Sequence, residues 1–155
     1  MQKEFSAGGI VYKKKFKVQS SKFKVNEVLW LVCQHSQHKG WVFPKGLIGD
    51  HKKGESSEET AVREVEEETG IIGEIIAKLK NLAKYFYVWQ GEKRFKTVDY
   101  FLMKYIRGDI NNHDLEMCDV IWLPTHKVPE KLTYKSDKTA FKEALEIFLE
   151  IAPVG

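Results

Sequence analysis

A mixed α/β fold, built as one domain over residues 1–155, is predicted by three observations. A series of β-branched and aromatic runs is interrupted by two segments with the 3.6-residue period of an amphipathic helix, near 57–69 and 136–151. The 155 residues suit one ordinary domain. A hydrophobic fraction of 43%, with 12% aromatic residues, supplies a core and excludes the low-hydrophobicity class of disordered chains.

In chain order, FSAGGIVYKK (5–14) and NEVLWLVCQ (26–34) read as a pair of strands. Between them KKKFKVQSSKFK (13–24) carries Lys13, Lys14, Lys15, Lys17, Lys22 and Lys24 without an acid. Two readings of that run stand side by side: a solvated connection, the usual role of a charge run, or an arm for polyanions. WVFP (41–44) is a short strand stopped by Pro44. IIGEIIAKL (71–79), YFYVW (85–89), KTVDYFLMKYI (96–106) and CDVIWL (118–123) continue the sheet, with QGEKR as a turn and Pro124 as the final stop. The last segment, SDKTAFKEALEIFLEI (136–151), aligns Ala140, Phe141, Ala144, Leu145, Phe148 and Leu149 on one helical stripe behind Ser136 as N-cap.

Charge and cysteine usage narrow the function classes. The net charge of +3 is mild, and no recognition motif accompanies the lysine run, which weighs against a dedicated nucleic-acid-binding domain. Cys33 and Cys118 are far apart, with no CxxC and no ligand-spaced histidine, so neither a zinc site nor a disulfide framework is indicated and a reducing interior fits. MQKEFSAGG lacks the apolar run of a signal peptide, and nothing approaches 18 consecutive apolar residues. The expectation is a soluble cytoplasmic protein without a membrane partner. No internal repeat, low-complexity linker or dimer signature is legible.

GESSEETAVREVEEETGI (54–71) crowds its glutamates around a single arginine, and like charges three or four residues apart on a helix repel. Helix is nonetheless predicted for about 57–69. Ser56 and Glu59 form a capping box, and Gly70 sits where a left-handed C-terminal cap is wanted. At about 100° per residue, Ala61, Val62, Val65 and Thr69 fall on one side, with Glu64, Glu67 and Glu68 gathered beside them. Taken alone, such glutamates describe a solvent-facing helix. As clustered oxygen donors they suit a hard divalent cation such as Mg²⁺, which is commonly shared with substrate phosphates and would cancel the repulsion.

The spacing of the other residues decides between these. Gly49, Glu55, Arg63, Glu64, Val65, Glu67, Glu68, Gly70 and Ile71 match the pattern G-x5-E-x7-R-E-U-x-E-E-x-G-U, with U aliphatic, and WVFPKG (41–46) leads into it. The chain thereby resembles the Nudix hydrolase family over nearly its whole length. In most relatives the glycine of the lead-in turn is also the first glycine of the box. Here Gly46 precedes Glu55 by nine positions rather than six. Gly46 is the preferred counterpart, with three extra residues in LIGDHKKG (47–54), and this leaves open whether Lys52 and Lys53 touch phosphate.

The resemblance implies the Nudix α/β/α sandwich, a mixed sheet between the box helix and the C-terminal helix. It implies a Mg²⁺-dependent pyrophosphohydrolase, with Mn²⁺ as a substitute ion, that hydrolyses a nucleoside diphosphate linked to another group by attack of metal-bound water on phosphorus. Glu64, Glu67 and Glu68 would be the ligands and Arg63 would orient them, reaching Glu67 one turn on. Glu55 stands between a metal-associated role and a structural cap favoured by the helix dipole. NNHDLEMCDVIWLP (111–124) resembles the family's later loop, with an acid six residues before a tryptophan. That makes Glu116 the candidate base and Asp119 the second choice.

For the substrate, KTVDYF (96–101) and the PKG turn resemble the asymmetric diadenosine tetraphosphate hydrolases. Lys45 and Lys96 would then meet the phosphate chain, Tyr100 a base or phosphate, and Tyr87 or Trp89 would stack on adenine. Strand packing is the competing role for those aromatics. A nucleoside triphosphate or an RNA 5′-triphosphate is the alternative substrate, and a non-catalytic nucleotide-binding module is a third reading that an intact box disfavours.

Overall fold

The computed structural model describes residues 2–20, 23–49 and 53–151. Strands run in the order β1 (Gln2–Ser20), β2 (Phe23–His35), β3 (Trp41–Val42) and β4 (Lys45–Leu47), followed by helix α1 (Ser57–Thr69). Next come β5 (Ile71–Lys78), β6 (Ala83–Trp89), β7 (Glu92–Gly108) and β8 (Met117–Pro124), then a short helix α2 (Val128–Lys131) and the long helix α3 (Lys135–Ile151). Among the described residues the eight strands form one sheet with the central order β3-β2-β1-β7-β5; β4 also pairs with β1, β6 with β7 and β8 with β2. Only the β1–β7 pairing among these is parallel, from Gln2↔Arg94 to Tyr12↔Lys104, so the sheet is mixed as expected.

Strand alternation divides the core into two layers. Ile10, Tyr12, Trp30, Val32, Tyr100 and Leu102 point to one face, where Phe141, Ala144 and Phe148 of α3 cover them. Ala7, Val11, Leu31, Cys33, Phe101 and Met103 point to the other, against Ala61 and Val65 of α1. Trp30 anchors the first layer: its ring meets Phe141 and Phe148 edge-on, and its indole N–H donates to Thr125 Oγ1 at 2.8 Å. The result is the α/β/α sandwich.

Helix α1 keeps its predicted limits because its ends are fixed locally. Ser56 accepts from the Glu59 amide, the Glu59 side chain returns to the Ser56 amide, and Gly70 closes the helix at φ 79°. The other boundaries shifted where tertiary pairing outweighs local signals. The lysine-rich run is not a solvated connection: β1 continues to Ser20, paired against β2 from Tyr12↔Trp30 to Ser20↔Phe23. Within it the Lys13 ammonium lies 4.3 Å from the Trp122 ring centroid. Lys22 lies outside the described residues. Helix α3 begins at Lys135, so Ser136 is its second residue rather than its cap, and Leu149 at the predicted stripe's far end is 64% exposed. No helix among the described residues is long and apolar enough to cross a membrane.

Because Phe141 fills the space between Trp30 and Phe43, Phe141→Ala is expected to destabilise the fold by about 3–5 kcal/mol in denaturant unfolding. A loss below about 1 kcal/mol would mean that this layer is not the close-packed core described.

Candidate active site

The strand–turn–strand 41–47 and helix α1 meet edge to face, and each supplies half of the site. Gly46 pairs with Ala7 and faces α1. A Cβ there would stand 2.1 Å from the Glu64 carboxyl carbon and 2.3 Å from its Oε1. The absence of a side chain is therefore what lets the Glu64 carboxylate lie against β4. Lys45 donates its amide to Glu68 Oε2 at 3.0 Å. Glu64 and Glu68, 6% and 3% exposed, are thus drawn inward one helical turn apart.

Arg63 gathers the remaining charge. Its Nε and Nη2 both donate to Glu55 at 2.8 Å, a two-pronged pairing, while Nη1 reaches Glu64 Oε1 at 2.9 Å and Glu67 Oε2 at 3.1 Å. The predicted i,i+4 pairing with Glu67 is present, but the stronger partner is Glu55. Thr60 Oγ1 adds a 2.7 Å hydrogen bond to Glu55. The Arg63 hydrogen bonds, with Thr60 and the Gly49 amide helping against desolvation, hold the Glu55 carboxyl down at about 2. Burial pushes the Glu68 carboxyl well above the ordinary carboxylate range; Lys45 pulls it back, while Glu64 and Glu116 add to the rise.

The donor set fits a divalent cation in kind. Glu64, Glu67 and Glu68 present only oxygens from one helix face, and Gly46 leaves room beside Glu64. Among the described residues no three His, Cys, Asp or Glu side chains already converge as a metal cluster. The reason is local: Arg63 pulls Glu64 and Glu67 toward its guanidinium, while the Lys45 amide holds Glu68.

On the opposite, α3-facing side, Lys45 pairs with Gly8, while Lys96 pairs with Glu4 and Tyr85. Their ammonium groups lie 5.5 Å and 5.7 Å from the ring centroids of Tyr85 and Tyr87 respectively. Burial and the neighbouring Lys45 lower the Lys96 pKa, against the charges of Glu4, Glu68 and Glu116. Lys45, Lys96, Glu68 and Glu116 are thus close enough to act on one another's charge. Glu116 is exposed, and its Oε1 stands 3.6 Å from His35 Nε2. Asp119 pairs with Gln34 in β8 and is exposed. Tyr87 donates its hydroxyl to Glu4, and Trp89 ends β6 half-exposed. Lys53 is exposed, and Lys52 lies outside the described residues.

Tyr100 departs from its expected role. It is 1% exposed and donates to Asp137 Oδ1 at 2.9 Å, so from inside the core it cannot meet a base or phosphate. Tyr85 donates to the same oxygen. Asp137, fully buried on α3, was not singled out beforehand. The available signal was its register: residue 137 falls on the same helical stripe as Ala140, Phe141 and Ala144, where a carboxylate is out of place. Glu4, which accepts from Tyr87 and pairs with Arg94 at 3.4 Å, was missed because an acid near a chain start carries no pattern of its own.

Two outcomes test this geometry. Gly46→Ala should force Glu64 off β4 and weaken Mg²⁺ binding about tenfold in isothermal titration; unchanged binding would separate Gly46 from the site. Glu55 titrates near 2 when folded against 4.5 as reference, so its pairing stabilises the fold above pH 4.5, and that contribution is lost as pH falls toward 2. In metal-free thermal melts Glu55→Gln should therefore flatten the decline of stability across that window, whereas parallel curves would show that the Arg63–Glu55 pairing does not contribute.

The family model of the NUDIX domain matches residues 19–144. MutT4 of Mycobacterium tuberculosis is 38% identical over 115 residues, covering 74% of this chain and 45% of that protein, so the chain spans just under half of that relative's length. An RNA pyrophosphohydrolase of Sphingopyxis alaskensis is 29% identical over 126 residues, covering 71% of this chain and 76% of its own. The structure of a C. elegans Ap4A hydrolase in a binary complex is similar with a TM-score of 0.65 at 21% identity, over 95% of this chain and 98% of that one, a likeness of fold. With the box carried on α1 and the family model spanning most of the residues described, the chain belongs to the Nudix hydrolase family.

Proposed function

We propose that this chain hydrolyses a phosphoanhydride bond in a nucleotide, with a divalent cation, Mg²⁺ or Mn²⁺, held by Glu64, Glu67 and Glu68. The observation that carries the reading is the pair of inward-drawn carboxylates, Glu64 against Gly46 and Glu68 on the Lys45 amide, with Lys45 acting on Glu68 and Lys96 feeling Glu68 in turn. When bound, the ion supplies charge neutralisation for the phosphate chain and acidifies water. Arg63 keeps the glutamates in place through its fork to Glu55. Lys45 stays cationic, because Asp137, Tyr85 and Glu68 outweigh the burial that opposes its charge. Its ammonium and that of Lys96 receive phosphate oxygens, the electrostatic half of phosphoryl-transfer catalysis. Glu116, whose charge reaches Glu68, accepts the proton of the attacking water.

The substrate we favour is a dinucleoside polyphosphate such as diadenosine tetraphosphate. KTVDYF contributes Lys96, and the half-exposed rings of Tyr87 and Trp89 flank the same side of the sheet for stacking on adenine. Tyr100 serves this site from behind, through Asp137, rather than by touching the ligand. A nucleoside triphosphate or an RNA 5′-triphosphate is the second reading, favoured by the similarity to an RNA pyrophosphohydrolase. The two free cysteines fit a cytoplasmic setting.

Incubation with Mg²⁺ and diadenosine tetraphosphate, nucleoside triphosphates, ADP-ribose and triphosphorylated RNA, with products resolved by chromatography, should give ATP and AMP from the first. Preference for a triphosphate would select the second reading. Glu67→Gln should lose nearly all turnover while its stability stays within about 1 kcal/mol of the parent, since that side chain is half-exposed and its ion pair is worth little to folding. Unfolding of this variant would make the glutamate structural instead.

A further inference from the structure

Helix α1 packs on β1, β4 and β5 and leaves the same face of β6 open. By register Lys84, Phe86 and Val88 of β6 lie beside Thr97, Phe95 and Lys93 of β7, and Lys3 and Phe5 of β1 lie beside Phe95 and Thr97. Strand alternation puts this group on the α1 side, with Ala7 and Phe101. Phe86 and Val88 are 72% and 65% exposed, and Phe5 is 61% exposed. The Phe86 and Phe95 rings pair at 4.7 Å. A soluble sheet ordinarily covers such a face or makes it polar. Here the aromatic surface is instead bordered by exposed Lys3, Lys84 and Lys93, and among the described residues the register sets one acid beside it, Asp99, which pairs with Lys78 at 3.6 Å.

Exposed rings on a sheet, interleaved with lysines, are the chemistry of a base-stacking platform: each ring offers a face to any base, and each ammonium offers a partner to the phosphate between bases. The position adds direction. Phe5 is two residues along β1 from Ala7, the partner of Gly46 against which Glu64 rests. Beside Phe5 lies a cavity of about 490 Å³, lined also by Ile48, Leu82, Thr97 and Asp99, in the size range of small-ligand clefts.

We propose that the open α1-side face of β1, β6 and β7, centred on Phe5, Phe86 and Phe95 and edged by Lys3, Lys84 and Lys93, binds single-stranded RNA. This deepens the RNA branch of the functional reading: the platform holds the body of a strand whose 5′ end reaches the glutamates of α1. Its recognition is by stacking and charge, so it tolerates any base sequence.

The test is fluorescence anisotropy of a labelled ten-nucleotide oligoadenylate with the full chain in EDTA, where no turnover occurs and the result does not depend on the hydrolytic reading. The parent should bind with an affinity that falls steeply with added KCl. Phe86→Ala and Phe5→Ala should each weaken binding about tenfold, while hydrolysis of diadenosine tetraphosphate or ATP by these variants stays at the parent level. Lys84→Glu, which keeps the rings, should weaken binding as well and covers the case in which a phenylalanine variant fails to fold. Absence of binding by the parent overturns the proposal without touching hydrolysis of small nucleotides. Binding that survives both phenylalanine changes but is lost in Lys14→Glu moves the RNA to the β1–β2 hairpin and overturns it too. Concentration-dependent dimerisation in sedimentation velocity, abolished by Phe86→Ala, would assign the face to a second copy of the chain.

Discussion

Crowding of carboxylates on α1 is the constraint around which the rest is arranged. Glutamates at 64, 67 and 68 beside Glu55 would repel one another on an isolated helix, and two of them are also taken out of water. Three devices offset this. Arg63 donates to three carboxylates at once; the Lys45 amide satisfies Glu68; and the missing side chain at Gly46 gives Glu64 a place to lie. None of these removes the burial that raises Glu68, so the carboxylate still gains from nearby positive charge, which Lys45 supplies in part.

The two faces of the sheet divide the work. The α1 side carries the carboxylates, the α3 side carries Lys45 and Lys96, and β4 joins the two through Gly46 and the Lys45 amide. Asp137 links Lys45 to the core: its Oδ1 takes hydrogen bonds from Tyr85 and Tyr100, and its charge helps keep Lys45 protonated. The long C-terminal helix therefore does more than cover apolar surface. It places a buried carboxylate whose charge acts on Lys45.

Much of this was legible in the sequence, and the residues show why some was not. Helix α1 obeyed its sequence because Ser56, Glu59 and Gly70 act on backbone groups within a turn of themselves. The box spacing named Arg63 and the three glutamates, and the lead-in turn pointed to Gly46, whose contact with Glu64 now gives it a physical role. Strand ends failed where long-range pairing decided them, as in the β1–β2 hairpin that runs through the lysines. The role of Tyr100 was taken from the resemblance of KTVDYF, which carries no information on burial, whereas its hydroxyl lies inside on Asp137. Leu149 was placed on the buried stripe, but it lies at the stripe's edge: Phe148, one residue earlier, packs on Tyr12 and Trp30, while Leu149 is turned outward.

The central claim, that the α1 glutamates form a divalent-cation site, is tested most directly by a crystal structure of the chain soaked with Mn²⁺ and read by anomalous scattering. The account predicts density beside Glu64, Glu67 and Glu68, with Arg63 still bound to Glu55. Density elsewhere, or none at the box while Arg63 continues to hold Glu64 and Glu67, would contradict it.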